Sequence, residues 1–471
     1  MGDVAKRIDL VALGLTAAVA AGVAAGSAAA QSGGPVITED VRLVPIGISA
    51  GEQFGHNVAI EGETAVVGAL FDGFRGSEAG SAFVFNALAG ALLDRIVGTD
   101  TAADDGFSDG VAVSDGRIYI GAPENEANGR QSGRVYVFDA PSRNQIDRLD
   151  PERIVFVGEN PVGAAFGWSV DAGDGFIAVG SPGDVEGANG GGGAVYIYHE
   201  QTRTRIGKFF ASDAGFADNM GRRVATASGR VFAASPFDDD NGTDSGAVYM
   251  FDAATGQQLR KLIAPKGAAH DNFGLGLAAD GDTLVVGAPF SDGNGASSGS
   301  VYVFDLNTGN AIGELIATDN AAGDQFGRAV AIDGDRIVVA SRGADLNGSA
   351  SGAVYVFDRA SRRQIATLLP SDGKAGDVFG NAVAISEDRV LVGAEGNNDA
   401  GEQAGTAYLF TVDIEPCAAD INGDSVADGG DFFAWVAAFG AQSPACDVNG
   451  DILCDGGDFF AWVSAFGVGC G

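Results

Sequence analysis

The sequence predicts an all-β fold, a seven-bladed β-propeller closed by an N-terminal strand, with a small α-helical calcium-loop module after it. The first observation is a Phe-Gly step, sometimes degenerate, at intervals of 53, 59, 54, 53, 53 and 53 residues. A fixed period near 50 residues with several strands per unit indicates a blade-by-blade array. The seven steps are Phe54-Gly55, Phe107-Ser108, Phe166-Gly167, Met220-Gly221, Phe273-Gly274, Phe326-Gly327 and Phe379-Gly380.

One repeat shows how a blade is built. After Phe273, the segments 275–279 and 283–286 alternate as strands on either side of the turn Asp280-Gly281-Asp282, in which Asp-Gly supplies positive φ. Gly287-Ala288-Pro289 closes the second strand, and segments 300–304 and 311–317 give a third and a fourth strand. Four antiparallel strands in about fifty residues make one propeller blade. We expect the small residues to let blades approach closely, and the Tyr-Val-Phe triplets of the third strands to fill the space between blades.

The seventh repeat lacks a fourth strand, because its third strand runs directly into 412–416. A spare strand lies before the first repeat, at 41–46. We expect that strand to complete blade seven, since closing the ring in this way removes free sheet edges. The predicted organisation is therefore a signal peptide at 1–30, a short linker at 31–40, the propeller at 41–415 and a second module at 416–471.

Composition and charge narrow the functional classes. The chain has 63 acidic and 28 basic residues, a formal net charge of −35 that opposes binding to nucleic acid. Lys6 and Arg7, an apolar run, and Ala28-Ala29-Ala30 predict a cleaved secretory signal peptide. The run is too short and too rich in alanine and glycine for a membrane span. We therefore expect a secreted protein, extracellular or at the cell surface.

The connections of the propeller predict an acidic face. An acid precedes the Phe or Met by two residues in six repeats: Glu52, Asp105, Asp218, Asp271, Asp324 and Asp377. We interpret these six as acceptors of local backbone N–H groups, because they repeat with the blade. The connections between third and fourth strands predict a basic opposite face, with Arg143, Arg203, Arg205, Lys261, Arg359, Arg362 and Arg363. The loop from Asp238 to Asp244 is a candidate cation site, with a solvated loop as the alternative.

The C-terminal segment contains a duplicated loop. Oxygen side chains stand at positions 1, 3, 5, 9 and 12 of each copy, with a main-chain carbonyl due at position 7, the spacing that a calcium ion needs. We predict two calcium sites, in which Val426 and Leu453 contribute carbonyls, formed by Asp420, Asn422, Asp424, Val426, Asp428 and Asp431, and by Asp447, Asn449, Asp451, Leu453, Asp455 and Asp458. The helix after each loop carries one apolar face, with Phe432, Trp435, Val436 and Phe439 in the first.

All four cysteines lie in this C-terminal segment: Cys417, Cys446, Cys454 and Cys470. An even number of cysteines in an exported segment predicts two disulfides. Three pairings are possible, and pairing Cys417 with Cys470 would tie the ends of the segment together.

Two family resemblances follow from these patterns. The Phe-Gly and Gly-Ala-Pro elements over 41–415 resemble the FG-GAP repeats that build the seven-bladed propeller of integrin α subunits. That family often carries a calcium loop where this chain has tight turns such as Asp115-Gly116 and Asp174-Gly175, so we do not carry those calcium sites over. The C-terminal segment resembles a dockerin of the short type that ends in Gly469-Cys470.

The dockerin resemblance implies a docking partner. Loop positions 10 and 11, which set partner choice in dockerins of cellulosomes, are Gly429-Gly430 and Gly456-Gly457 here, and position 6 is Ser425 or Ile452 in place of glycine. We therefore expect a cohesin-like protein or a different surface receptor.

The expected function is non-catalytic binding or adhesion, with a protein or glycan ligand on the propeller face. The three histidines, His56, His199 and His270, lie apart in the sequence, and we expect them to be solvated or to cap turns. One alternative is a carbohydrate-active enzyme, a polysaccharide hydrolase or lyase, because dockerins are commonly joined to such chains. The other alternative is a structural surface-layer component. The sequence does not name the ligand.

Overall fold

The computed structural model describes residues 34–126, 129–151, 163–186, 191–413 and 432–436. Two short strands come first, β1 (Val36–Ile37) and β2 (Val41–Leu43). Seven sheets follow, and each has four antiparallel strands in a blade. The described part of the chain is therefore the predicted all-β seven-bladed propeller.

The first four blades each use four consecutive strands. Blade one contains β3 (Phe54–Glu61), β4 (Thr64–Ala69), β5 (Ser81–Asn86) and β6 (Leu92–Ile96). Blade two contains β7 (Val111–Ser114), β8 (Arg117–Ala122), β9 (Arg134–Asp139) and β10 (Gln145–Leu149). Blade three contains β11 (Val170–Gly173), β12 (Phe176–Ser181), β13 (Ala194–His199) and β14 (Arg205–Phe209). Blade four contains β15 (Arg223–Ala227), β16 (Arg230–Ser235), β17 (Ala247–Asp252) and β18 (Gln258–Leu262).

The last three blades follow the same order. Blade five contains β19 (Gly276–Asp280), β20 (Thr283–Ala288), β21 (Ser300–Asp305) and β22 (Asn310–Leu315). Blade six contains β23 (Phe326–Asp333), β24 (Arg336–Ser341), β25 (Ala353–Asp358) and β26 (Gln364–Leu368). Blade seven contributes only three strands in sequence, β27 (Ala382–Ser386), β28 (Arg389–Ala394) and β29 (Thr406–Thr411).

The missing outer strand of blade seven is β2. It pairs antiparallel with β29, with Val41 opposite Leu409 and Leu43 opposite Ala407, so the predicted closure by an N-terminal strand is confirmed. The strand is shorter than the predicted 41–46, and it ends before Pro45, which has no N–H to donate to a ladder. The parallel pairing of β1 with β26, which extends blade six to five strands, was not predicted.

Aromatic side chains pack between neighbouring blades. The Phe of a Phe-Gly step is buried and packs edge-on against two aromatic rings of the third strand in its own repeat, as Phe326 does against Tyr355 and Phe357 at centroid distances of 5.8 and 5.9 Å. Those rings share one cluster with Val301 and Val303 of the preceding blade. The third-strand aromatics therefore fill the space between blades, as predicted.

Small residues set the distance between neighbouring blades. A side chain on Gly121, the glycine of Gly-Ala-Pro in blade two, would collide with the carbonyl oxygen of Gly167 in the Phe-Gly step of blade three. Single backbone bridges join the residue before one third strand to the Phe of the next blade, and the bridge between Phe54 and Gly405 closes the ring. The predicted close approach of the blades is confirmed.

The hairpins between first and second strands are tight turns, as predicted. Asp115 and Gly116 both have positive φ, 49° and 68°, which is the conformation of a two-residue hairpin turn. Outside the propeller, the described residues include a short helical segment at 432–436, in which Trp435 is buried and Phe433 is exposed. Among the described residues, no helix has the length and apolar character to cross a membrane.

Candidate binding site at the channel mouth

First strands from all seven blades surround a central channel. The channel holds a cavity of about 270 Å³, and each blade contributes apolar wall residues to it: Val58, Val111, Val170, Val224, Leu277, Ala331 and Val383. Asp109 and Asp171 are the acids of this wall, and Asp171 lies deeper in the fold. Its carboxylate accepts hydrogen bonds from the N–H and the hydroxyl of Thr226, both at 2.7 Å, while burial raises the pKa of Asp171 to about 6.

The side chains at one mouth of the channel differ from blade to blade. The residue after each Phe-Gly step is His56, Asp109, Trp168, Arg222, Leu275, Arg328 and Asn381 in blades one to seven. The third position of Gly-Ala-Pro, which is proline in four blades, is Arg342 in blade six and Glu395 in blade seven. We call this end the Phe-Gly mouth. Its chemistry comes from positions at which the repeats disagree.

His56 lies between two carboxylates at this mouth. Its Nδ1 is 2.6 Å from Oε2 of Glu395, and its Nε2 is 3.6 Å from Oδ1 of Asp109. Burial lowers the pKa of His56, but the two carboxylates outweigh burial and raise that pKa to about 9. The expectation of a solvated or capping histidine is therefore wrong for His56, because ring closure brings blades one, two and seven together around it.

Four arginines gather at the same mouth: Arg222, Arg223, Arg328 and Arg342. The Arg222 guanidinium stacks 4.1 Å from the ring centre of Trp168. Arg342 donates from Nε to Oε1 of Gln325 at 3.0 Å and from Nη1 to Oδ1 of Asn381 at 3.5 Å. Burial and neighbouring arginines lower the pKa values of Arg222 and Arg328. We name these four residues the arginine ring. The sequence analysis missed it.

The six repeated acids hold their own loops. Each accepts a backbone N–H three residues earlier, as Asp324 does from Ala321 at 2.8 Å and Asp377 from Lys374 at 2.9 Å. The other four do so at 2.6 to 2.8 Å: Glu52, Asp105, Asp218 and Asp271. The interpretation of these acids as acceptors of local backbone N–H groups is confirmed.

Comparison with protein families now assigns the propeller. Six segments match the model of the FG-GAP repeat: 37–85, 93–138, 204–251, 257–304, 310–357 and 363–410. Together they cover more than half of the 471 residues. The chain belongs to the FG-GAP repeat family. A search of curated proteins finds no match.

The unmatched unit of this FG-GAP protein is blade three. Each matched segment runs from one outer strand to the third strand of the next blade, and the stretch between 138 and 204 is left out. The Phe-Gly interval there is 59 residues, where the common interval is 53, and Ala164 stands where six repeats have an acid. The structure nevertheless has four strands in blade three, with Phe166 packed 4.9 Å from Tyr196. The repeat that the family model leaves out is therefore a real blade, as the sequence predicted.

Buried ion pairs form an outer rim on the Phe-Gly face. Each pair joins an acid of the loop between second and third strands to a base of the fourth strand: Asp72 with Arg95, Asp184 with Lys208, and Asp238 with Lys261. We call these three pairs the rim pairs. Lys208 Nζ lies 2.6 Å from Asp184, and Lys261 Nζ lies 2.9 Å from Asp238.

Lys261 places its own positive charge at the candidate cation site in the Asp238–Asp244 loop. Its ammonium contacts Asp238 and Asp240 of the loop and Asp213 outside it, so a cation of the protein already pairs with two of the loop's carboxylates. Asp239 accepts the N–H of Asp244 at 2.8 Å. The placement of Lys261 on the opposite face was wrong, because it stands near the end of β18, on the side of the Phe-Gly loops.

The predicted division into an acidic and a basic face does not hold at the channel. The opposite mouth is lined by Glu61, Asp174, Asp280 and Asp333, and the arginine ring stands at the Phe-Gly mouth. Arginines of the opposite face pair with acids there, as Arg359 does with Asp280 at 2.8 Å and Arg203 with Asp147 at 2.5 Å. Charge along the channel axis is thus the reverse of the prediction.

The remaining predicted sites lie outside the described residues. These are the signal peptide at 1–30, the twelve calcium-loop positions and the four cysteines. Within the described part of the FG-GAP chain, no cluster of three or more His, Cys, Asp or Glu side chains is arranged to hold a metal ion.

Proposed function

We propose that the protein is an exported, non-catalytic binding protein with two working parts. The propeller binds a protein or glycan ligand on its Phe-Gly face, centred on the channel mouth. The module at 416–471 binds two calcium ions and attaches the protein to a cohesin-like or other surface receptor. The fold supports the first part, because FG-GAP propellers are consistent with binding and adhesion. The duplicated loop sequence supports the second.

One observation carries the recognition surface. In a scaffold whose seven units repeat closely, the seven residues that follow the Phe-Gly steps are of six different types, and several are charged and half-buried. A repeat that served only stability would place the same side chain at each equivalent position. Propeller loops that converge on one channel mouth form a single surface, so the unequal residues are presented together.

The protonation state of His56 argues against a role for it as a general base. A general base must be neutral at the working pH, and its best pKa lies near that pH. Glu395 and Asp109 hold His56 as an imidazolium up to about pH 9. The same pair of contacts fixes its ring, so its role is to join blades one, two and seven.

The recognition surface is tested with the full chain on a panel of extracellular proteins and polysaccharides. Binding should fall when Arg223 and Arg328 are both changed to Gln. It should persist when Arg75, an exposed arginine of the loop between β4 and β5, is changed to Gln. Equal binding by both variants would show that the recognition surface is not at the Phe-Gly mouth. Release of reducing ends from any polysaccharide on the panel would favour the enzyme hypothesis.

The attachment module is tested by calcium titration of the full chain in calorimetry. We expect two ions per chain, and one ion when Asp420 at loop position 1 is changed to Ala. Asp447→Ala should remove the other. Binding of no ion by the unaltered protein would overturn this half of the proposal and leave the propeller unaffected.

A further inference from the structure

The arginine ring is unusual because its guanidiniums form no ion pairs among the described residues, although the chain is rich in carboxylates. Acids outnumber bases 63 to 28, and the rim pairs show that cations on this face normally meet a carboxylate. Within the described residues, no carboxylate lies within ion-pair distance of the four ring guanidiniums. Asp109 and Glu395 act on the ring arginines only from a greater distance, and both are turned to His56.

The side chains that contact Arg222 and Arg342 are uncharged. Trp168 carries the face of Arg222, and the side-chain oxygens of Gln325 and Asn381 hold Arg342. Asn381 is itself fixed, since its Nδ2 donates to the carbonyl oxygen of His56 at 3.0 Å. Such contacts orient guanidiniums and leave their charge unbalanced. Burial and the neighbouring arginines lower the pKa of Arg328, so both disfavour its charged form.

We propose that the arginine ring binds the oxyanion group of a small ligand, a carboxylate or a sulfate or phosphate ester, at the Phe-Gly mouth. A guanidinium is planar and can donate two parallel hydrogen bonds to a pair of oxygens of such an oxyanion, and these hydrogen bonds are charge-assisted. The cavity below the ring, about 270 Å³, lies near the lower end of the range for small-molecule sites.

The rest of the chain restricts what can reach the ring. With a net charge of −35, the protein repels polyanions at distances up to the Debye length of about 10 Å. A ligand with a single charged group meets less of this repulsion and gains the full short-range contact. The ring therefore favours a small ligand over a long acidic polymer. This inference rests on the proposed recognition surface and adds the chemistry of its ligand.

The test is calorimetric titration of the full chain with sodium sulfate, sodium phosphate and sodium acetate, each at constant ionic strength set with sodium chloride. We expect at least one of the three oxyanions to bind. Arg223→Gln/Arg328→Gln should weaken that binding by about tenfold or more, because it removes charge-assisted hydrogen bonds to the oxyanion. Arg75→Gln should bind as the unaltered protein does.

The pattern of binding separates the two sources of oxyanion. Preference for acetate indicates a carboxylate ligand, and preference for sulfate or phosphate indicates an ester. Thermal melting of every variant without added oxyanion shows whether it is folded, and the single variant Arg328→Gln replaces the double variant if the latter is not. Absence of binding, or equal binding by the ring variants, overturns the proposal.

Failure here is distinct from failure of the proposed function. A ligand from the protein and polysaccharide panel that is lost in the ring variants, with no competition from any oxyanion, would keep the recognition surface. It would show that the ligand class inferred for the ring is wrong.

Discussion

The rim pairs and the arginine ring lie on the same face of the propeller and treat positive charge in opposite ways. At the rim, Lys208 is 7% exposed and lies against Asp184, which is fully buried. At the channel mouth, Arg223 and Arg328 are half-buried without such a partner among the described residues. The rim charges are neutralised inside the fold, and the ring charges are not.

The difference separates stability from recognition within one repeat. Rim acids stand at equivalent loop positions in three blades, and each pairs with a base of its own fourth strand. Ring arginines stand where the residue varies from blade to blade, and the side chains that contact Arg222 and Arg342 are uncharged. A half-buried charge without a partner costs free energy, and a bound anion would recover it.

The largest expected effect is at the rim. Lys208→Met should lower the free energy of unfolding by about 3 kcal/mol, because it leaves the buried Asp184 carboxylate without its ammonium. Urea denaturation followed by tryptophan fluorescence measures the loss. Lys266→Met is the matched control, since Lys266 is 73% exposed and its pair with Glu314 should contribute less than about 1 kcal/mol. Equal losses in the two variants would contradict the distinction between rim and surface pairs.

The next effect is a pH dependence at the boundary between ring and acids. His56 has a pKa of about 9 in the folded chain and an ordinary value of 6.5, so its ion pairs stabilise the fold fully below about pH 6.5. That stabilisation is lost as the pH rises through 9. In His56→Gln, about 3 kcal/mol of the stability difference between pH 6 and pH 9.5 should disappear.

Urea midpoints at the two pH values measure this change. Other groups that titrate in the window are common to both proteins and cancel in the comparison. His270→Gln is the control, because His270 is 69% exposed. An unchanged pH dependence in His56→Gln would show that Glu395 and Asp109 do not hold the imidazolium.

The fold could be predicted from the sequence because the residues that determine it recur from repeat to repeat. Phe326, Tyr355 and Phe357 recur with the blade, and they are the residues that pack one blade against the next. The closing role of β2 followed from counting strands, which needs no knowledge of side-chain contacts. The repeated acids were also understood, since a residue that returns at each turn most simply satisfies that turn.

The site was missed for the complementary reason. Arg222, Arg328 and Arg342 are far apart in the chain, and each is an exception in its own repeat. The number of acids in the Phe-Gly loops and in the loops between second and third strands predicted an acidic Phe-Gly face. Many of those acids, however, accept backbone N–H groups or belong to the rim pairs. Aligning the seven repeats and asking which charged residues fail to recur would have found the ring.

A smaller effect is expected for one repeated acid. Asp324→Ala should lower the free energy of unfolding by about 1 to 2 kcal/mol, because it leaves the N–H of Ala321 without its acceptor. Asp335→Ala, at an exposed turn on the opposite face, should change stability by less than about 0.5 kcal/mol. Urea denaturation compares the two. A loss of oxyanion binding in Asp324→Ala, with the fold intact, would contradict the assignment of this acid to its loop alone.

The smallest expected change in stability is in the arginine ring itself. Arg328→Met keeps an unbranched apolar stem of similar reach and removes a half-buried charge that burial and Arg223, Arg342 and Arg222 disfavour. Its free energy of unfolding should therefore lie within about 0.5 kcal/mol of the unaltered protein or above it. Set beside Lys208→Met, the same substitution chemistry on the same face would give a large loss at the rim and none at the channel mouth. A loss of more than about 2 kcal/mol in Arg328→Met would mean that Arg328 supports the fold, and the ring would then belong with the rim as a structural feature.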